Sequence, residues 1–234
     1  MELVWAALLI TMGGYIVFRM LQGRRKYKDV QRRLEKATTD EEQAAVALDY
    51  LPADSPDVAV RVARGWALLL TGKTDEGLAE MKREGGTLPY DPRARLETWL
   101  GMARAFSLTN GDLTQATALV AKVKHAMSQL PTKWHAPLEA QLAEIEGWMH
   151  LHRGQALHAL GCFDRAVEQP TRKPHIDAAR LYGRACALLE LGKSEQGRAA
   201  LEDAAALGPD QPNVSRAHAL LEEMKFGKPR ARET

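Results

Sequence analysis

Two kinds of apolar pattern run along this chain. The first is MELVWAALLITMGGYIVF, in which Leu3 to Phe18 carries no charge and is mostly apolar. Extended to Leu21, with Arg19 snorkelling outward, it is 19 residues long, roughly 28 Å as a helix and enough to cross a hydrocarbon core. The second pattern is amphipathic and begins after residue 38. TTDEEQAAVALDYL reads as a helix capped by Thr39 or Asp40, with acids in its first turn and Pro52 at its end. SPD at Ser55–Asp57 then opens another helix, with Pro56 in its first turn.

From there the pattern repeats. Four glycines, Gly72, Gly111, Gly154 and Gly192, mark the turn of successive helix–turn–helix units. Seven residues before them a small residue recurs at Gly65, Gly147 and Ala185, with Arg104 in the second copy. Five residues after them stand Gly77, Ala116, Ala159 and Gly197; nine after stand Met81, Val120, Phe163 and Leu201. Twelve after come Val123, Ala166 and Ala204, with Glu84 breaking the pattern, and Pro89, Pro131, Pro170 and Pro209 close the copies. Small residues on facing helices let two backbones approach, and the bulky residue one turn later fills the gap to the next unit. Glycine permits the left-handed turn between helices.

ALLLTGKTDEGLAEM, LHRGQALHALGCFDRA and ALLELGKSEQGRAALEDA resemble the tetratricopeptide repeat, over about Val58 to Pro209. The glycines are 39, 43 and 38 residues apart, longer than the family's usual unit of about 34. LPTKWHAP, from Leu130 to Pro137, reads as an extra linker. The resemblance implies an all-α, TPR-like α-solenoid of about four helical hairpins and a capping helix from Asn213 to Met224, preceded by one transmembrane helix. The expected organisation is an anchor at 1–21, a basic juxtamembrane segment at 22–38, repeats at 39–226 and a disordered tail at 227–234.

Composition agrees with helices. Apolar residues make up 45% of the chain, dominated by Ala and Leu, while aromatics are only 6%; β-branched residues, which lose more entropy in helices, are thin. Charge alters the picture more. Of the 32 basic and 30 acidic residues, eight basic and two acidic lie between Arg19 and Lys36, leaving 24 basic and 28 acidic elsewhere. A nucleic-acid binder spreads positive charge over its folded face, so no nucleic-acid partner is expected. A basic block after an apolar run, with none before it, is the reverse of a secretory signal. By the positive-inside rule the C-terminal flank stays in the cytoplasm, and Arg19, Arg24, Arg25, Lys26 and Lys28 are expected at the membrane surface. The expected location is a bacterial inner membrane, single-pass. Gly13-Gly14 is compatible with two anchors packing as a homodimer.

The stretch EGWMHLHRGQALHALGCFDRA raises the question of a metal. His150, His152, His158 and Cys162 fall within thirteen residues, and His158 and Cys162 are four apart. The set is incomplete for a zinc site, which needs three or four ligands; the stretch reads as a hairpin turning at Arg153-Gly154. Cys162 and Cys186 are the only cysteines, without a CxxC. No phosphate loop, HExxH or nucleophile elbow occurs, so no enzyme, cofactor or metal is expected.

The resemblance also implies a concave face formed by the first helices of the hairpins, where the family binds peptide segments or helices. The residues that match are Trp66, Leu69, Trp99, Phe106, Glu144, Trp148, Leu151, Tyr182 and Leu189. They are mostly apolar and aromatic, and lack the Lys, Arg and Asn set of the family's clamp for chaperone C-terminal carboxylates. An amphipathic helix or peptide is therefore the expected partner, and a membrane-anchored scaffold or adaptor the expected function. One alternative is an extracytoplasmic chaperone-like accessory of a translocation or envelope-assembly complex, which the position of the basic block disfavours. Another is a metal-binding protein using the His150–Cys162 cluster.

Overall fold

The computed structural model of the protein describes residue 33 and residues 40–109, 111–171, 174–207 and 212–225. The expected anchor at 1–21 and the tail at 227–234 lie outside the described residues, as does the 22–38 segment apart from Arg33. Among the described residues no helix is long and apolar enough to cross a membrane. The helices fall into two compact units, one ending at Leu130 and the other beginning at Pro131. The break lies in LPTKWHAP, the linker already distinguished by its irregular sequence.

The first unit contains α1 (Asp40–Tyr50), α2 (Val58–Leu70), α3 (Thr74–Lys82), α4 (Pro92–Leu108) and α5 (Leu113–Met127). The helix expected to open with Pro56 starts later, at Val58, because Asp57 stays extended and its side chain accepts from Ala59 N at 2.8 Å. Asp91 and Asp112 cap α4 and α5 in the same way, accepting from Ala94 N at 2.7 Å and Gln115 N at 2.9 Å. Caps of this type contribute about 1 kcal/mol each. Helix α3 pairs with α2 and α5 with α4, while α2 also packs on α4. Helix α1 lies on α2 through small residues: Ala44, Ala47 and Leu51 meet Val60, Ala63 and Ala67 in one buried cluster. The alanines bring the two backbones close, and Leu48, Trp66 and Leu70 close over the cluster.

The second unit begins with a 3-10 turn at Thr132–Trp134, followed by α6 (His135–His152), α7 (Ala156–Val167), α8 (Pro174–Glu190), α9 (Ser194–Ala205) and α10 (Pro212–Lys225). Helices α6 and α7 form one hairpin and α8 and α9 the next; α7 packs on α8, and α10 on both α9 and α8.

The small positions face each other as expected, a Cβ on Gly77 coming 2.6 Å from Gly65 O, but the bulky residue, expected in the gap to the next hairpin, also packs inside its own. Met81 lies over Gly65, where a Cβ would come 2.7 Å from its Cγ. Phe163, fully buried, lies over Gly147 in its own hairpin and also against Gly183 of α8. The bulky residue thus packs within its hairpin and locks the next hairpin onto it.

The turn glycines divide into two kinds. Gly72, Gly154 and Gly192 have φ of +79°, +69° and +73°, the left-handed region that a Cβ penalises. Gly111 is not in that region; a Cβ there would lie 2.6 Å from Leu78 Cδ1, so that side chain would have to shift. The first copy also differs at its end. Helix α3 is only 9 residues long, so Glu84 falls outside it, which explains its break with the pattern.

Candidate interaction face

Five of the nine expected face residues are half-buried and four are enclosed. Trp66 is half-buried on α2 and donates from Nε1 to the carbonyl of Gly101 on α4 at 3.2 Å. A Cβ at Gly101 would meet Nε1 at an ordinary contact distance of 3.6 Å and crowd Val62 Cγ1 at 3.2 Å. Trp99 is half-buried on α4, and Leu151 is half-buried near the end of α6. Leu69 and Leu189 are half-buried too, but turn towards their own hairpins. A Cβ on Gly77 would lie 3.1 Å from Leu69 Cγ, and one on Gly197 2.7 Å from Leu189 Cδ2.

The four enclosed residues correct the expectation of an open face at their positions. Phe106 is fully buried in the first unit, with Lys82 Nζ 5.7 Å from its ring centroid. Its neighbours in α4, Ala103 and Ala105, are too small to fill the core, so the ring turns inward. Trp148 and Tyr182 are buried against each other, centroids 6.2 Å apart, and Trp148 meets the Phe163 ring edge-on at 5.3 Å. Glu144 is buried because Arg180 is: Arg180 Nε stands 3.4 Å from Glu144 Oε2. Arg19, Arg24, Arg25, Lys26 and Lys28 lie outside the described residues. Arg33, from the same basic segment, donates to Asp49 at 2.7 Å and lies 5.7 Å over the Tyr50 ring at the end of α1.

Interior arginines are what the sequence reading missed. Helix ends leave carbonyls without intrahelical donors, and here arginines from neighbouring helices supply them. Arg64 of α2 donates to Leu51 O at 2.7 Å, beyond the end of α1. Arg61, also of α2, reaches Arg83 O at 2.7 Å and Gly85 O, just past the end of α3. Burial and the nearby Arg83 charge pull its guanidinium below the usual value. In the second unit Arg180 of α8 donates to Ala166 O at 3.0 Å and Gln169 O at 2.8 Å, at the end of α7. The available signal was an arginine pair interrupting apolar helices, in VAVRVARGW and AARLYGRACALLE.

The histidine cluster is arranged differently from its sequence spacing. Cys162 is buried and accepts from Arg165 Nη2 at 3.3 Å, while His158 is exposed and stacks on His150 with centroids 5.5 Å apart. Among the described residues no group of three or more His, Cys, Asp or Glu side chains is placed to hold a metal ion.

No family model, no curated protein and no solved structure matches this chain.

Proposed function

We propose that the protein is a membrane-anchored scaffold of tetratricopeptide type, holding a partner protein at the cytoplasmic face of the membrane. The observation that carries this reading is the interlock of Phe163 with Gly147 and Gly183. A bulky side chain seated on glycines of two successive first helices is the kind of contact by which repeat hairpins stack, each unable to bury its apolar face alone. Stacked hairpins present their first helices side by side, and proteins built this way use that face for recognition. Half-buried Trp66 and Trp99 on first helices of the first unit, and by itself Leu151 on a first helix of the second, supply apolar and aromatic area of the kind enriched at binding hot spots. The apolar run before a basic block supports the anchor and its orientation.

Photocrosslinking in native membranes tests the reading. A photoreactive phenylalanine analogue replaces Trp99 or Leu151 on the first helices, or Leu157, which is exposed on α7. The expected result is one recurrent protein adduct from Trp99 or Leu151 and none from Leu157. Adducts that are the same from all three positions, or absent from all three, sink the proposed face.

A further inference from the structure

We propose that His150 and His158 form a two-imidazole site for a divalent first-row transition ion, one that would tie α6 to α7 across the turn of their hairpin. The sequence paired His158 with Cys162, four residues on, but folding brings together a different pair. The His150 and His158 rings stack at 28° with centroids 5.5 Å apart. They come from opposite sides of the Arg153-Gly154 turn, where Gly154 takes its left-handed conformation.

The state of His150 is set by its neighbour. Nδ1 stands 2.7 Å from Gln155 Oε1. An amide oxygen only accepts, so in the neutral tautomer that donates from Nδ1 the lone pair is on Nε2. Metal-ligating histidines are commonly held in this way, with the second ring nitrogen donating to a carbonyl or carboxylate. His158 is exposed on α7, which gives an ion a route in from solvent.

The geometry is within reach of coordination. Metal–nitrogen bonds of about 2.0–2.1 Å put two neighbouring ligand nitrogens about 3 Å apart. Rings with centroids 5.5 Å apart would have to turn about their side-chain torsions to bring a nitrogen of each to that separation. Cys162 is turned inward to Arg165, so the remaining positions fall to water. Two imidazoles with water suit Ni2+ or Cu2+ over the hard cations Mg2+ and Ca2+. An ion held there favours the closed hairpin, because the unfolded chain does not hold the two rings together.

The test is a Ni2+ titration of the full-length chain in detergent, free of any affinity tag, read by calorimetry and by amide hydrogen exchange. His150→Ala and His158→Ala should each weaken binding by more than about tenfold, and Gln155→Ala by about tenfold through loss of the orienting bond. His218→Ala, at an exposed position of α10, should change nothing. In the wild type alone, the ion should slow exchange at Arg153–Gln155. Circular dichroism checks that each variant keeps its helices. If His150→Ala/His158→Ala retains wild-type affinity, or if the turn amides exchange equally fast with and without Ni2+, the pair is a plain imidazole stack and the site does not exist.

Discussion

Phe163 lies so close to the backbone of Gly183 that a Cβ there would sit 2.4 Å from its Cε1. The two residues belong to successive hairpins, so the contact couples units that are twenty residues apart in sequence. Gly183→Ala should force the ring out of place and cost about 1–3 kcal/mol. Phe163→Ala should cost about 3–5 kcal/mol through loss of burial and the cavity left behind. Phe163→Leu, with a smaller side chain, should make Gly183→Ala less costly. Urea unfolding of the single and double variants measures the coupling; strictly additive effects would show that the two residues do not share one packing problem.

Arg180 and Glu144 make the second link between these hairpins, and it is asymmetric. Arg180 also bonds two helix-end carbonyls, whereas the buried Glu144 carboxylate leans on Arg180 at 3.4 Å. Arg180→Leu takes an ion-pair partner from the buried Glu144 carboxylate and the donor from two carbonyls, and should cost about 3–5 kcal/mol. Glu144→Gln keeps an acceptor and leaves Arg180 its carbonyls, and should cost clearly less. Equal losses in thermal or chemical unfolding would contradict this assignment of roles.

Asp112 makes the first unit sensitive to acid. The Gln115 N–H first, and then the Lys82 ammonium at 3.3 Å, hold its carboxyl below the usual carboxylate range. A group depressed in the folded state contributes stability that is fully present above its unfolded value, near 3.9. That contribution is lost as pH falls through the lower folded value. Asp112→Asn keeps a capping oxygen but does not titrate. The stability difference between wild type and variant should therefore shrink below about pH 4. Chemical unfolding between neutral pH and pH 2 measures it; a difference that is constant with pH removes the charge argument.

Trp66 donates across helices to Gly101. Trp66→Phe keeps an aromatic ring but loses the donor, and should cost about 0.5–1.5 kcal/mol for the hydrogen bond, with a further loss of area. Gly101→Ala should cost less, because a Cβ there would meet the indole at an ordinary contact distance and crowd only Val62 Cγ1, at 3.2 Å. Unfolding midpoints of both variants decide the matter, and no change in either would show that this seam is loose.

The membrane reading has its own check. Deletion of residues 1–21 should move the protein from the membrane fraction to the soluble fraction, and a cytoplasm-active reporter at the C-terminus should report from the cytoplasm. A reporter active only outside would reverse the proposed orientation.

Much of the architecture follows from local rules that the chain states directly. The left-handed turns at Gly72, Gly154 and Gly192, the aspartate caps and the helical spacing of small and bulky residues are set within a few neighbours. Hence the hairpins, and the facing of small residues such as Gly65 and Gly77, were legible without coordinates, whereas the seating of Met81 on Gly65 and of Phe163 on Gly147 inside one hairpin was not. What sequence left open was which way a large residue faces once its helix has neighbours on two sides. Phe106, Trp148 and Tyr182 were candidates for an open face and are enclosed, Trp148 packing against both Tyr182 and the edge of Phe163. Arg61, Arg64 and Arg180 read as ordinary basic residues until the carbonyl ends of neighbouring helices come within reach. His158 stands four residues from Cys162 in sequence, yet it stacks on His150, since a hairpin turn brings opposite helices together while burial draws the thiol inward. Local sequence determined the helices and their turns; burial and partner choice depend on distances between helices, and only the tertiary structure decided those.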